Sequence, residues 1–381
     1  MKKLLLATAV SAAFAIPSAV WAQATAPAAP TLDKVLEASG ISVSGYIDAA
    51  YTHADHDIQA GIGGIPPRVF DNQNNSFGMH QFGLTVAKQP KEGFGGVVNL
   101  TAGTDGRVIH STPELTPATG APATSTFDVT QAFAQYAGGP LTVMMGKYTT
   151  MHGTEVIAST GNTNFSRSIL FGAEPFTHTG VRVSYAASDT VTLMAGVNNG
   201  WDQLTDANKG KTVELGATLT PVKPLTVVLS AMSGSEPLSA TVNGARTSLN
   251  AVGTYTATDA LSFGLEYLSV AQDNFTSLVG AGTIKAKYSG EALYVTYMFN
   301  PKWRGVLRTE QLSDKDGFHF GVADTKYNET TLTVAYLPSA SFELRGEVRT
   351  DSADKALYKE YGSATNSKSF TTLALEALYK F

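Results

Sequence analysis

The chain ends on TLALEALYKF, residues 372–381, and this stretch decides the fold. Ala, Leu, Glu and Lys favour a helix by intrinsic propensity. The spacing points elsewhere. Leu373, Leu375, Ala377, Tyr379 and Phe381 form an unbroken every-second-residue apolar row, alternating with Thr372, Ala374, Glu376, Leu378 and Lys380, and a period of two belongs to a strand. The same alternation recurs in segments of about ten residues from residue 41 onward, as in GVRVSYA, VTLMAGV, TVELGATLT, LTVVLSA and LSFGLEY.

The connections carry further information. Short turns rich in Pro, Gly, Asp and Asn (KQPKEG, GGP, ASDT, PVKP, ATDA, NPK, PSA) alternate with longer stretches over about 52–75, 104–126, 150–178, 200–211, 233–246, 272–286, 313–328 and 352–369. Segregated loop lengths make every strand antiparallel to its neighbour and gather the long loops at one end. An all-β, up-and-down transmembrane β-barrel of about sixteen strands is built this way, with short periplasmic turns and long extracellular loops. A strand tilted across a bilayer needs roughly 9 to 11 residues, and a sheet in lipid must close to leave no unpaired edge.

At the N-terminus Lys2 and Lys3 precede an apolar run from Leu4 to about Val20 and the segment VWAQA, the pattern of a signal peptide over residues 1–22, cut after Ala22. Residues 23–40 then form an N-terminal segment, in which TLDKVLEAS reads as a short helix, and 41–381 form the barrel. Without Lys2 and Lys3 the basic count falls from 27 to 25 against 32 acids, a net charge near −7 that suggests no nucleic-acid partner. Cysteine is absent, so disulfides and thiolate metal sites are excluded. Charged residues are only 15% of the chain, against roughly a quarter in soluble domains.

If the apolar row of each strand faces lipid, the alternate row faces the interior. That row contains Arg182, Glu214, Glu266, Arg304, Arg308, Glu310, Glu343, Arg345, Glu347, Arg349, Glu376 and Lys380, as candidate pore-lining residues. Six bases and six acids predict no strong ion preference. So many charges cannot sit in a dry core without several kcal/mol of desolvation each, so they are expected to line water. The longest loop, 150–178, is expected to fold inward as a constriction, with Glu155, Arg167, Glu174 and His178 setting the local field. HADHD at 53–57 lacks a further ligand, so no metal or cofactor is assigned. Gly210, Lys211 and Thr212 lack the first glycine of a phosphate loop, and no G-x-S-x-G nucleophile elbow occurs.

SGYIDAAY, FDVTQAFAQY, NFSRS (164–168), FTHTGVRVSY, NNGWD (198–202), RTEQLSDKDG and the terminal Phe381 together resemble the Gram-negative outer-membrane porins, most closely the OmpL-like β-barrel porin family. The resemblance implies an outer-membrane, multi-pass barrel through which small hydrophilic solutes diffuse passively, with lipid, lipopolysaccharide and the barrel-assembly machinery as partners. A substrate-specific uptake channel is the alternative, and a barrel enzyme the lesser one. Tyr379 and Phe381 resemble the assembly signal. General trimeric porins carry a Pro-Glu-Phe-Gly-Gly type element in the constriction loop; AEPFTH (173–178) does not match it, so neither eyelet residues nor a trimer transfer, and a homo-oligomer stays open.

Overall fold

The computed structural model describes residues 31–60, 68–111, 125–239 and 241–381. The signal-peptide reading of residues 1–22 lies outside them. Leu32–Ser39 forms an eight-residue helix, α1, where TLDKVLEAS predicts one. Among the described residues no helix is long and apolar enough to cross a membrane.

The remainder is one closed antiparallel barrel of sixteen strands. In chain order these are β1 (Ser42–Ala54), β2 (Ser76–Lys88), β3 (Gly93–Ala102), β4 (Phe127–Gly138), β5 (Leu141–Thr149), β6 (Thr177–Ser188), β7 (Val191–Asn198), β8 (Thr212–Val222), β9 (Leu225–Pro237), β10 (Asn243–Thr256), β11 (Leu261–Thr276), β12 (Thr283–Asn300), β13 (Trp303–Asp314), β14 (Thr325–Ser339), β15 (Phe342–Ala353) and β18 (Ser369–Lys380). Two short strands, β16 (Tyr358–Lys359) and β17 (Asn366–Ser367), make a ribbon in the last outer loop.

All of TLALEALYKF but its final Phe381 lies in β18 and closes the cylinder, pairing with β15 on one side and β1 on the other. The register on β1 runs from Tyr46 opposite Lys380 to Ala54 opposite Thr372, slightly above the expected 41–51. Phe381 fixes it, exchanging backbone bonds of 2.9 Å with Gly45 in both directions. Leu373, Leu375, Tyr379 and Phe381 are exposed on the outer face, while Glu376 and Leu378 are buried on the inner one.

Two of the eight expected long loops are corrected. Residues 233–237 continue β9 and pair with 243–247 of β10, leaving a connection of only 238–242. Likewise β11 and β12 run on past a bulge at Gln272/Phe275, where Asn274 adopts a positive φ of 62°. SGSE and AQDN have loop composition, but ladder hydrogen bonds hold them extended. β11 and β12 are therefore 16 and 18 residues long.

Aromatic pairs ring the short-turn end of the outer face: Trp303 with Tyr336 (4.9 Å), Tyr297 with Phe299 (5.2 Å), Phe94 with Tyr136 (5.0 Å) and Tyr379 with Phe381 (6.1 Å). This is the interfacial girdle of a membrane barrel. Above it the outer face is apolar except on one side. There Glu291, Gln311 and Asn328 share one cross-strand row, and Thr309, Thr330, Thr350 and Thr371 the row below. Counting two residues per outward position from Trp303, both rows fall within an apolar band of about 25 Å.

Candidate functional site

The loop between β5 and β6, residues 150–176, enters the barrel and is fastened to its inner wall. His152 bridges Ser230 of β9 and Ser248 of β10 through its two ring nitrogens, each at 2.8 Å. Gly153 donates to Asn250 (3.1 Å) and Thr154 to Glu266 (2.9 Å). Glu155 receives Arg308 of β13 at 2.6 Å. Four residues on, Ser159 donates to Asp48 of β1 (2.5 Å), and Gln81 of β2 donates to the Ile157 carbonyl (2.9 Å). The segment 155–159 therefore bridges the arc of wall from β13 to β1 and β2.

The chain then returns along the arc of wall between them, from β15 to β13. Glu347 accepts from the amides of Phe165 and Ser166 (2.8 and 3.0 Å), and Glu310 from those of Ile169 and Leu170 (2.6 and 3.0 Å). Arg345 donates to the carbonyls of Asn162 and Asn164 (2.9 and 3.1 Å), and Arg349 to that of Arg167 (2.5 Å). Wall carboxylates grip amides and wall guanidiniums grip carbonyls. Such charge-assisted bonds are about twice as strong as neutral ones.

The twelve candidate wall residues can now be placed. Ten of them (Arg182, Glu214, Glu266, Arg308, Glu310, Glu343, Arg345, Glu347, Arg349 and Glu376) are buried on the inner face, while Arg304 and Lys380 are partly exposed toward the periplasmic end. Water was expected to solvate this row. The loop backbone and ion pairs do much of that work instead. Arg182 pairs with Glu214 (2.8 Å), Arg308 with Glu329 (3.2 Å) and Arg345 with Glu343 and Glu376 (2.7 and 3.1 Å). Arg304 is also bonded to Glu343.

Of the four loop candidates, Glu155 is spent on Arg308. Arg167 is buried and donates to the carbonyls of Val156, Phe165 and Ile157 (3.0, 2.9 and 2.8 Å), so it staples the loop to itself. Glu174 accepts from Asn250 at 2.8 Å, and burial with the neighbouring Glu266 carboxylate raises its pKa well above the usual range. His178 lies at the start of β6, its ring bonded to the Gly200 carbonyl at 3.0 Å. His152, Asp48, Gln81 and Glu329 were missed. Alternation alone places Asp48 and Glu329 on the inward rows of their strands, between outward-facing neighbours.

On the outer side of the loop, Ile169, Leu170 and Ala173 join inward residues of β11–β14, including Leu268, Tyr288, Tyr294 and Leu312, in an apolar cluster. That half of the interior is packed protein. A cavity of about 270 Å³ remains against β2–β5, between Thr85, Asn99, Thr130, Gln131 and Thr149 on the wall and Val156, Ala158 and Phe176 on the loop. In the HADHD segment His53 bonds Asn75 on the outer face whereas His56 bonds Asp55.

The profile of the family described as "Putative beta-barrel porin-2, OmpL-like" matches residues 40–381. The chain belongs to this porin family. It is an outer-membrane channel for solute diffusion, and its sixteen strands are those of a porin. The porin is similar in fold to the outer membrane channel DcaP of Acinetobacter baumannii, at 14% identity and a TM-score of 0.61, over 90% of this chain and 97% of that one. It is also similar to an anion-selective porin from Comamonas acidovorans (10% identity, TM-score 0.63, 90% and 99% covered) and to OprB of Pseudomonas putida (12%, 0.60, 91% and 96%). No curated protein sequence matches the porin.

Proposed function

We propose that this porin passes small hydrophilic solutes by passive diffusion, without turnover chemistry, through the passage that the inward loop leaves open. The observation that supports this most is the double anchoring of residues 152–170, which narrows a sixteen-stranded barrel to one side. A cylinder of that strand number is otherwise wide enough for an aqueous channel. Purified protein in planar bilayers should give stepwise current, and excising residues 158–170 should enlarge the steps. Absence of stepwise current would reject the channel, unchanged conductance in the deletion would reject the loop as its gauge, and saturable flux in liposomes would replace free diffusion by substrate-specific uptake.

We further propose self-association through the polar rows on β12–β15 and β18. Glu291, Gln311, Asn328 and Thr330 lie at acyl-chain depth, where polar groups facing lipid are costly, and a second copy offers them hydrogen-bond partners. One structure of similar fold is described as OmpT of Vibrio cholerae in its trimer form. Cysteines placed at Gln311 should crosslink between copies in native membranes; a monomer throughout would reject the reading. The export signal is tested by the mass of the mature chain, expected to begin at Gln23.

A further inference from the structure

The basic residues Arg308, Arg345 and Arg349 are fully buried on the wall where the loop is fastened, engaged by carboxylates and loop carbonyls. They present nothing to the 270 Å³ cavity. The two carboxylates that do border it are also occupied. Glu155 takes Arg308 at 2.6 Å and the Ser168 amide at 2.6 Å, and Glu174 takes Asn250. What remains is a cavity with two unlike sides. On the loop side Val156 is 46% exposed inside the barrel, beside Ala158 and Phe176. On the wall side stand the neutral amides and hydroxyls of Asn99, Gln131 and Thr149.

We infer that the space between Val156, Ala158 and Phe176 of the loop and Asn99, Gln131 and Thr149 of the wall is a recognition site for small uncharged solutes that carry one apolar and one hydrogen-bonding face. An ion entering it meets only carboxylates already engaged by Arg308 and Asn250 and loses hydration along the apolar side, which is costly. A neutral hydroxylated solute exchanges water for the amides and hydroxyls of the wall, and its apolar face leaves water against Val156. The volume falls just below the range of ligand-sized cavities, about 300 to 1,000 Å³, so the solute is small. Burial and the neighbouring Glu266 carboxylate push Glu174 well above the usual carboxylate range, and burial lowers the His152 imidazole to about 3, so both shifts favour the uncharged forms.

The inference rests on the diffusion reading, and its test separates the two. Glucose, gluconate and glucosamine share one skeleton with three charges. In liposome swelling, glucose should enter several-fold faster than either ion, and the reversal potential in a KCl gradient should stay near zero. Phenyl β-glucoside, neutral with an apolar face, should reduce the ion current by occupying the site. Val156→Asp should shift the reversal potential toward cation selectivity and relieve the block, and Val156→Thr should weaken the block without shifting the potential; heat-modifiable migration checks that both fold. Faster entry of gluconate or glucosamine, no block by phenyl glucoside, or a block untouched by both substitutions overturns the site. Absence of stepwise current would instead reject the channel itself.

Discussion

Arg308 of β13 reaches the Glu155 carboxylate at 2.6 Å and the Ser166 carbonyl at 2.7 Å, so one guanidinium ties both limbs of the inward loop to the wall. It also bonds Glu329 on the adjacent strand (3.2 and 3.3 Å). Its side chain is fully buried.

Arg308→Met strands Glu155 and Glu329 without their partner, and breaking a buried pair this way costs about 3–5 kcal/mol. The barrel ladder does not depend on it. The variant should keep its β-sheet circular dichroism, melt at a lower temperature and conduct through larger, noisier steps. Glu155→Gln, which keeps a hydrogen bond to Arg308, should be milder in all three.

Acid should loosen the loop through His152. Burial first, then His178 and Arg182, lower its imidazole from 6.5 to about 3. The unfolded group takes up a proton below 6.5 and the folded one does not, so this contribution is complete above 6.5 and is lost as pH falls toward 3. The slope is about 1.4 kcal/mol per pH unit within that window. Thermal stability should fall between pH 6 and pH 4 in the native chain and less steeply in His152→Gln, measured by heat-modifiable migration.

Gly83→Ala should weaken barrel closure. A Cβ at Gly83 would lie 2.1 Å from the Tyr46 ring, and that ring cannot swing away without breaking its 2.5 Å bond to Gln81. Overpacking of this kind costs about 1–3 kcal/mol. The expected result is a lower melting temperature with unchanged ion selectivity.

Deleting Phe381 removes the two backbone bonds to Gly45 and the ring stacked on Phe82 at 6.4 Å. Outer-membrane levels of the truncated chain should drop, as quantified in membrane fractions; normal levels would show that the terminal residue is dispensable for assembly.

Period and turn chemistry made the barrel legible. Two-residue alternation in SFELRGEVRTD puts Glu343, Arg345, Glu347 and Arg349 on one face, and the alternation of TLALEALYKF overrules its helical propensity. Alternation tells which way a side chain points and nothing about what meets it there. The partners of Arg345 and Glu347 are backbone groups of an aperiodic loop some 180 residues away, so the sequence suggested water where the structure has Asn162, Phe165 and Ser166. The extended ends of β9–β12 were hidden for another reason. Gly234 reads as a turn residue, yet its missing side chain makes room for Thr212, whose Oγ1 would lie 2.0 Å from a Cβ there.

The loop's fastenings have a consequence for the order of assembly. Residues 152–170 leave the chain between β5 and β6, but they are held from strands as distant as 153 positions for Arg308 with Glu155, 183 for Arg345 with Asn162, and 111 for Asp48 with Ser159. Neighbouring strands zip locally, whereas contacts across such separations wait on the closure of long chain segments. The anchors on β9–β11 and on β13–β15 can form within their own arcs, but the set as a whole is complete only when β1 and β15 have both met β18. The last fastening of the bore therefore waits on closure of the cylinder, so an intermediate arrested before that step would leak solutes that the mature protein turns away.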